Sequence, residues 1–268
     1  MPKRDEVFCA YRAFHNRADG SPDAEYTNKA YLKHLGEKGI SWCIQDPSGT
    51  VNVLIGRVAE LSKQVFDRAY SALKADNPTI SDEIVRGGGK YIIPIRYPLT
   101  RMVADGYVAI GDSAFMTIPM LGSGIENSMC AACILSEILL KTKSAKKENL
   151  WQYQVAYYKH IGARHVGIDV LKRWLLSSDN DDLSFLFKKK IVNDKIMFCG
   201  ATGQLIFLSP KEMLDKVAKG YAKIGLLLSL NNLLIKTHKA ERVGLEIPEV
   251  YDEAKISEWE KRIEKFFE

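Results

Sequence analysis

Residues 108 to 139, VAIGDSAFMTIPMLGSGIENSMCAACILSEIL, hold the side chains best spaced for chemistry. An apolar run, Tyr107 to Ile110, ends in Gly111-Asp112. Gly111 lets the chain turn and lets a ligand come close to the backbone. A carboxylate at the carboxyl end of a buried strand can accept hydrogen bonds from the hydroxyls of a sugar or polyol, and strand ends are where ligands bind in open α/β sheets. Pro119-Met120-Leu121-Gly122-Ser123-Gly124-Ile125 then leads into an apolar helical pattern that runs to about Lys141. A helix start leaves backbone N–H groups unpaired and partly positive. Gly122 and Gly124 keep side chains away from a flat ligand there. The stretch therefore predicts a site for a ligand with a polyol and an electron-rich or anionic edge. The competing reading of each half alone is a tight turn and a loop shaped by glycines.

The elements that must position this site come from the rest of the chain. Val7 to Phe14 reads as a strand, and Ile40 to Ile44 with Val51 to Ile55 as a hairpin. Leu61, Val65, Phe66, Ala69 and Leu73 recur at helical spacing until Asn77-Pro78. Gly87-Gly88-Gly89 precedes a short strand, Tyr91 to Ile95, and Val103 to Ile110 runs through an Asp105-Gly106 turn into another. From residue 149 the pattern is mostly helical. Ser209-Pro210-Lys211-Glu212 carries the signature of a helix start. Ile256, Trp259, Ile263, Phe266 and Phe267 mark one face of a last helix. The expected class is α+β or α/β, a mixed sheet followed by a helical C-terminal region. Three regions are expected: a β-rich substrate-binding region over 1–100, the strand, Gly-Asp loop and helix over 101–145, and helices over 146–268.

The 268 residues are 46% apolar and 26% charged, ordinary for a globular chain. The net charge of +5 is mild and spread out, apart from clusters such as Lys188-Lys189-Lys190, which argues against nucleic acid. It suits weak attraction to an anionic membrane surface or ligand. The start of the chain has no apolar signal region, and five cysteines without framework spacing fit a reducing cytoplasm. The longest apolar candidate for a span, Ile224 to Ile235, is too short and carries Asn231 and Asn232.

The combination of strand, Gly111-Asp112-Ser113-Ala114-Phe115, Pro119 and Gly122-Ser123-Gly124-Ile125 resembles the second flavin-binding motif of FAD-dependent oxidoreductases, and in particular of the geranylgeranyl reductases. The family pattern is similar to Gly-Asp-Ala-Ala-Gly, a Pro, then Gly-Gly-Gly-Ile. Ser113, Phe115 and Ser123 depart from it, and Phe115 puts a ring where close backbone approach is usual. A second resemblance lies in Gly39-Ile40-Ser41-Trp42-Cys43-Ile44-Gln45 and Asn52-Val53-Leu54-Ile55-Gly56, similar to the family's Gly-Tyr-x-Trp-x-Phe-Pro and Asn-Val-Gly-Leu-Gly. Ile40, Trp42 and Ile44 share one strand face, which could line an apolar tunnel or could be an ordinary core face. The resemblance covers about residues 5 to 145.

The resemblance implies a glutathione-reductase-like FAD and substrate fold, with FAD as cofactor. Asp112 would hold the ribityl chain. Gly122, Gly124 and Ile125 would present N–H groups to the ring. The activity implied is reduction of carbon–carbon double bonds in geranylgeranyl or other isoprenoid chains, in the cytoplasm or peripherally at a membrane. A flavin monooxygenase, or a non-catalytic remnant that has lost FAD and serves as a binding subunit, are the alternatives. The Gly-x-Gly-x-x-Gly fingerprint that cradles the FAD pyrophosphate does not occur in the chain. The expectation is a C-terminal portion, a fragment or one half of a split enzyme, completed by an N-terminal FAD-binding chain.

Other candidates are weaker. Cys130-x-x-Cys133 lies inside an apolar helix pattern and reads as core packing. His160 and His165 do not share a helix face, and His15, His34 and His238 read as surface or loop residues. Asp179 to Asp182 reads as a solvated helix start, and Tyr153, Tyr157 and Tyr158 as packing. No metal site is expected.

Overall fold

Alternation along Val7–Arg17 makes the first strand, β1, and places Tyr11, Ala13 and His15 on one face and Phe8, Ala10 and Arg12 on the other. The computed structural model describes residues 3–268 and separates into two units, Met1–Pro94 and Ile95–Glu268. In the first, β1, β2 (Asn28–Leu32), β3 (Gly39–Gln45), β4 (Thr50–Val58) and β5 (Ile80–Pro94) form one sheet in the order β2-β3-β4-β1-β5. Every pairing is antiparallel. Helix α1 (Lys63–Asp76) is capped by Ser62, whose side chain accepts from the Val65 N–H, and ends at Asn77. It covers one sheet face, packing Ala69 and Leu73 with Tyr11, Ala13, Cys43, Val51, Val53 and Ile55. On the opposite face the tip of the Phe8 ring comes up against Gly56, where an added Cβ would stand 1.9 Å from Cζ.

Two expectations for this unit need correction. The three glycines do not precede a short strand; they lie inside the 15-residue β5. Gly87 and Gly88 take φ of +81° and +85°, and the register against β1 slips between Arg12 and Ala13. This is a bulge, which keeps a strand going while bending it. His15 and His34 are not surface residues: they are 0% and 8% exposed. His15 shares the α1 face with Tyr11 and Ala13, and His34 Nδ1 lies 3.1 Å from Ser41 Oγ.

In the second unit β6 (Val103–Ala104) and β7 (Tyr107–Val108) form a tight hairpin. The expected apolar strand through Ile110 is thus cut to two paired residues, and Tyr107 is 58% exposed. The Asp105-Gly106 turn is so close that the partner strand is equally short. Helices follow: α2 (Ile125–Thr142), α3 (Lys147–Tyr157), α4 (Ala163–Ser177), α5 (Asn180–Lys188), α6 (Asp194–Ala201), α7 (Pro210–Gly220), α8 (Ile224–Leu245) and α9 (Glu253–Glu264). A π-turn, Tyr158–Gly162, joins α3 to α4. The core is aromatic: Trp151, Tyr153, Tyr157, Tyr158 and Trp259 are all buried. Asp169, fully buried on α4, accepts from the Tyr97 N–H at 3.1 Å and pairs with Lys172 at 2.7 Å. Lys172 also donates to the Ile95 carbonyl. This holds the segment leading to the hairpin against α4. The capping box at Ser209 and Glu212 and the Asp179 cap on α5 are both present.

Helix α2 is apolar but only lightly buried. Among its 18 residues only Ala131 is buried, while Ile125, Met129, Cys133 and Leu140 are exposed along one side. Cys130 is half-buried and Cys133 exposed, which corrects their reading as core residues.

Two measurements check this packing. Gly56→Ala is expected to lose about 1–3 kcal/mol in urea unfolding through overpacking on Phe8. Gly200→Ala, where a Cβ meets nothing within 4 Å, is expected to gain about 0.5–1 kcal/mol. Burial holds the His165 imidazole neutral, its pKa pushed down to about 3. The unfolded chain takes up this proton near pH ~6.5. Its stabilising contribution is therefore complete above that pH and declines as pH falls towards 3. His165→Gln is expected to flatten the acid limb of stability over this window; an identical limb would contradict the assignment.

Candidate functional site

The hairpin hands the chain to the site through the Ala109 N–H, which donates to Met102 O at 2.8 Å. Gly111 then turns the backbone at φ +70°, and Gly111–Ala114 form a single 3-10 turn. The Met116 N–H closes it on Gly111 O at 3.1 Å, and the Leu99 N–H donates to Ala114 O at 3.0 Å. Ala114 and Met116 are fully buried and anchor the loop in the aromatic core. Asp112 and Ser113 are left exposed. Ser113 Oγ donates to Ile110 O at 2.8 Å. The Asp112 carboxylate has no hydrogen-bond or ion-pair partner among the described residues.

Phe115 occupies the left-handed region, φ 57° and ψ 44°. That conformation favours glycine, which accounts physically for a glycine at this place in the resembling motif. Its ring lies beneath the Arg96 guanidinium, 5.3 Å from the ring centroid. Arg96 also stacks on Tyr97 at 4.3 Å.

The second half of the loop closes on itself. Pro119 is buried. The Ile118 N–H donates to Ser123 O at 2.7 Å, and the Gly122 N–H to Ile118 O at 2.8 Å. Gly122 therefore does not present its amide outward, contrary to what the resemblance implies; its φ of +71° shapes the turn instead. The amides of Ser123, Gly124 and Ile125 have no acceptor among the described residues, and α2 has no side-chain cap. The two halves meet. Asn127 Nδ2 donates to Met116 O at 2.9 Å, and a Cβ on Gly111 would stand 3.3 Å from Ser128 Oγ. The Gly-Asp turn thus abuts the first turn of α2. One exposed carboxylate and three amides are left without partners among the described residues. Chemically the arrangement offers an acceptor for hydroxyls next to donors for an anionic or electron-rich edge. Glu126 in the same first turn already supplies negative charge there.

Ile40, Trp42 and Ile44 lie together on the β3 face turned away from Ser41 and Cys43, which point to the α1 side. Each is half-buried, and the Trp42 indole N–H is buried without a partner among the described residues. They line the sheet with Leu54, the cross-strand partner of Trp42. The Cys43 thiol is held protonated by burial, its pKa raised to about 11. No group of three or more metal-binding side chains occurs among the described residues. Asn127 and Arg96 were not foreseen; both act through contacts across the loop that spacing does not reveal. A cavity of about 520 Å³, lined by Trp174, Ser178, Asp182, Lys223 and Ser229, was also not foreseen, because its walls come from three helices.

No family model matches the chain. A digeranylgeranylglycerophospholipid reductase of Sulfolobus acidocaldarius is 23% identical over 261 residues, covering 95% of this chain and 57% of its own length. One from Methanothrix thermoacetophila is 27% identical over 205 residues, covering 72% of this chain and 50% of its own. The chain is thus similar in sequence to digeranylgeranylglycerophospholipid reductases over most of its length. It spans about half the length of the curated relatives it matches. A geranylgeranyl bacteriochlorophyll reductase-like protein from Thermoplasma acidophilum has the same fold, with a TM-score of 0.63 at 17% identity over 87% of this chain and 56% of that one. No helix among the described residues is long and apolar enough to cross a membrane.

Gly111→Ala tests whether the turn is obligatory. A side chain at that φ is expected to cost about 1–2 kcal/mol in thermal or urea unfolding. Ser113→Ala, on the exposed side of the same turn, should stay within about 0.5 kcal/mol of the wild type.

Proposed function

We propose that this chain forms the flavin-ring and substrate part of an FAD-dependent oxidoreductase that reduces carbon–carbon double bonds in geranylgeranyl or other isoprenoid lipid chains. The observation that carries the reading is the unpartnered Asp112 carboxylate set against the uncapped, glycine-flanked start of α2. Water can solvate an exposed carboxylate in any turn; what sets Asp112 apart is its place against the uncapped start of α2. The sequence likeness to digeranylgeranylglycerophospholipid reductases supports the substrate class.

The residues present fit the ring and ribityl end of FAD. Asp112 would accept from ribityl hydroxyls. The Ser123, Gly124 and Ile125 amides would donate to the electron-rich edge of the ring, and the dipole of α2 would favour negative charge there. When bound, the flavin supplies the reducing equivalents for the double bond. Ser113 and Pro119 hold the loop rather than the ligand. Ile40, Trp42 and Ile44 line the path of the isoprenoid chain, and their apolar faces exclude water from it. The adenosine half of FAD needs a dinucleotide-binding βαβ unit, which the sequence does not contain; we assign it to a complementing FAD-binding segment or chain. The exposed stripe of α2, Ile125, Met129, Cys133 and Leu140, supports such a partner. A lipid substrate places the assembled enzyme peripherally at a membrane.

A second reading is favoured by one observation. Phe115 brings a ring under Arg96 where the resembling motif has glycine, which suits a remnant that no longer holds flavin. Titrating the chain with riboflavin and FAD while following flavin fluorescence separates the two. Quenching is expected with both, because the ring and ribityl chain are common to them. Asp112→Ala is expected to weaken binding about tenfold or more, the loss of a charge-assisted hydrogen bond. Flavin that stays free in the wild type favours the remnant, whereas flavin that binds Asp112→Ala equally well overturns the role given to Asp112.

A further inference from the structure

Helix α7 turns only the flank of its apolar stripe to the protein and leaves most of the stripe in water. Met213, Leu214 and Val217 fall on one side of it, continued by Tyr221, and all are exposed, Leu214 at 71% and Tyr221 at 78%. The side turned to the protein carries Lys216 and Gly220. Lys216 is buried and donates to Ile191 O at 2.5 Å. Gly220 lies so close to its neighbours that a Cβ would stand 2.8 Å from Ile191 Cδ1. The orientation is therefore fixed by two specific contacts and is not a matter of rotation about the helix axis. The acidic edge is already paired: Asp215 to Lys219 at 2.6 Å and Glu212 to Lys195 at 2.7 Å. An amphipathic helix ordinarily turns its apolar stripe to the core. This one presents it outward.

The stripe is not alone. Phe198 on α6 is 62% exposed, Phe207 68%, Ile224 51% and Leu228 60%. Charge is concentrated in the same stretch. Residues 188–223 hold eight lysines and three carboxylates, so the whole net charge of +5 lies there and the rest of the chain is balanced. Lys188, Lys189, Lys190 and Lys211 are exposed and have no carboxylate partner among the described residues. Protruding leucine, tyrosine and phenylalanine interleaved with unpaired lysines match a bilayer surface: the apolar tips enter the headgroup and acyl boundary, and the ammonium groups meet lipid phosphates. A protein partner would instead need a complementary acidic face, and a second copy would set lysine against lysine.

We infer that the α6–α7 face, with Leu214 and Tyr221 at its centre and Lys188 to Lys190 beside it, is the surface by which this protein docks on a bilayer of anionic lipid. This extends the peripheral membrane contact of the reading above. The binding test contains no flavin, so loss of flavin binding and loss of membrane docking are separate results.

The test is co-sedimentation of the full chain with vesicles of phosphatidylcholine, with and without phosphatidylglycerol. Partition onto the anionic vesicles is expected to exceed that onto neutral ones by about tenfold and to weaken as salt screens the charges. Leu214→Ser with Tyr221→Ser, and separately Lys188→Ser with Lys189→Ser and Lys190→Ser, are each expected to reduce it about tenfold. All five side chains are exposed, so the variants should keep the wild-type circular dichroism. Tyr221→Trp should shift its emission to the blue on anionic vesicles only. Equal partition on both vesicle types, or no loss in either variant, overturns the inference. So does a wild-type dimer in sedimentation velocity that Leu214→Ser with Tyr221→Ser dissolves, because the occupant is then a second copy.

Discussion

The candidate site exists because the loop over 111–122 takes up many of its own backbone groups. Met116 N–H to Gly111 O, Phe115 N–H to Asp112 O, Ile118 N–H to Ser123 O and Gly122 N–H to Ile118 O take up the loop's polar groups. Asn127 ties the loop to the first turn of α2. An unpaired group costs little only while water reaches it. Asp112 and the amides before α2 meet that condition, so the fold leaves them open without penalty. Burying Ala114 and Met116 beneath them makes this opening rigid. A preformed donor and acceptor pair gains affinity because no loop has to be ordered when the ligand arrives.

What sequence reasoning could see was what short-range physics decides. The Ser209 capping box, the α1 stripe and the β3–β4 hairpin each depend on residues a few places apart, and each is present. So is the helix beginning at Ile125. The glycines of β5 were misread because their bulge is defined by the slip against Arg12, far away in sequence. The Gly122 amide was misassigned for a similar reason: its acceptor, Ile118 O, depends on a turn that spacing alone does not fix. His15 is different. It has the same parity as Tyr11 and Ala13, so alternation along β1 already carried its burial. The left-handed backbone of Phe115 was invisible, since a phenylalanine gives no sign of it.

The second unit carries two exposed apolar surfaces, and their chemistry differs. From residue 125 to 140 there is no lysine or arginine, and the outward stripe of α2 includes Ala132, Cys133 and Ser136. Small side chains let another backbone approach closely, as helix packing at 8–10 Å requires. That stripe suits a protein surface of defined shape, such as the complementing segment proposed for the adenosine half of FAD. The stripe of α7 has the opposite character, with long side chains standing out among unpaired ammonium groups. No fixed shape would fit it closely, whereas a fluid bilayer adapts to each protruding chain and supplies the phosphates that lysines need. Lys216 and Gly220 fix the orientation of α7 with two contacts, so within the second unit the stripe is held exposed and nothing has to be reordered when the proposed bilayer is met.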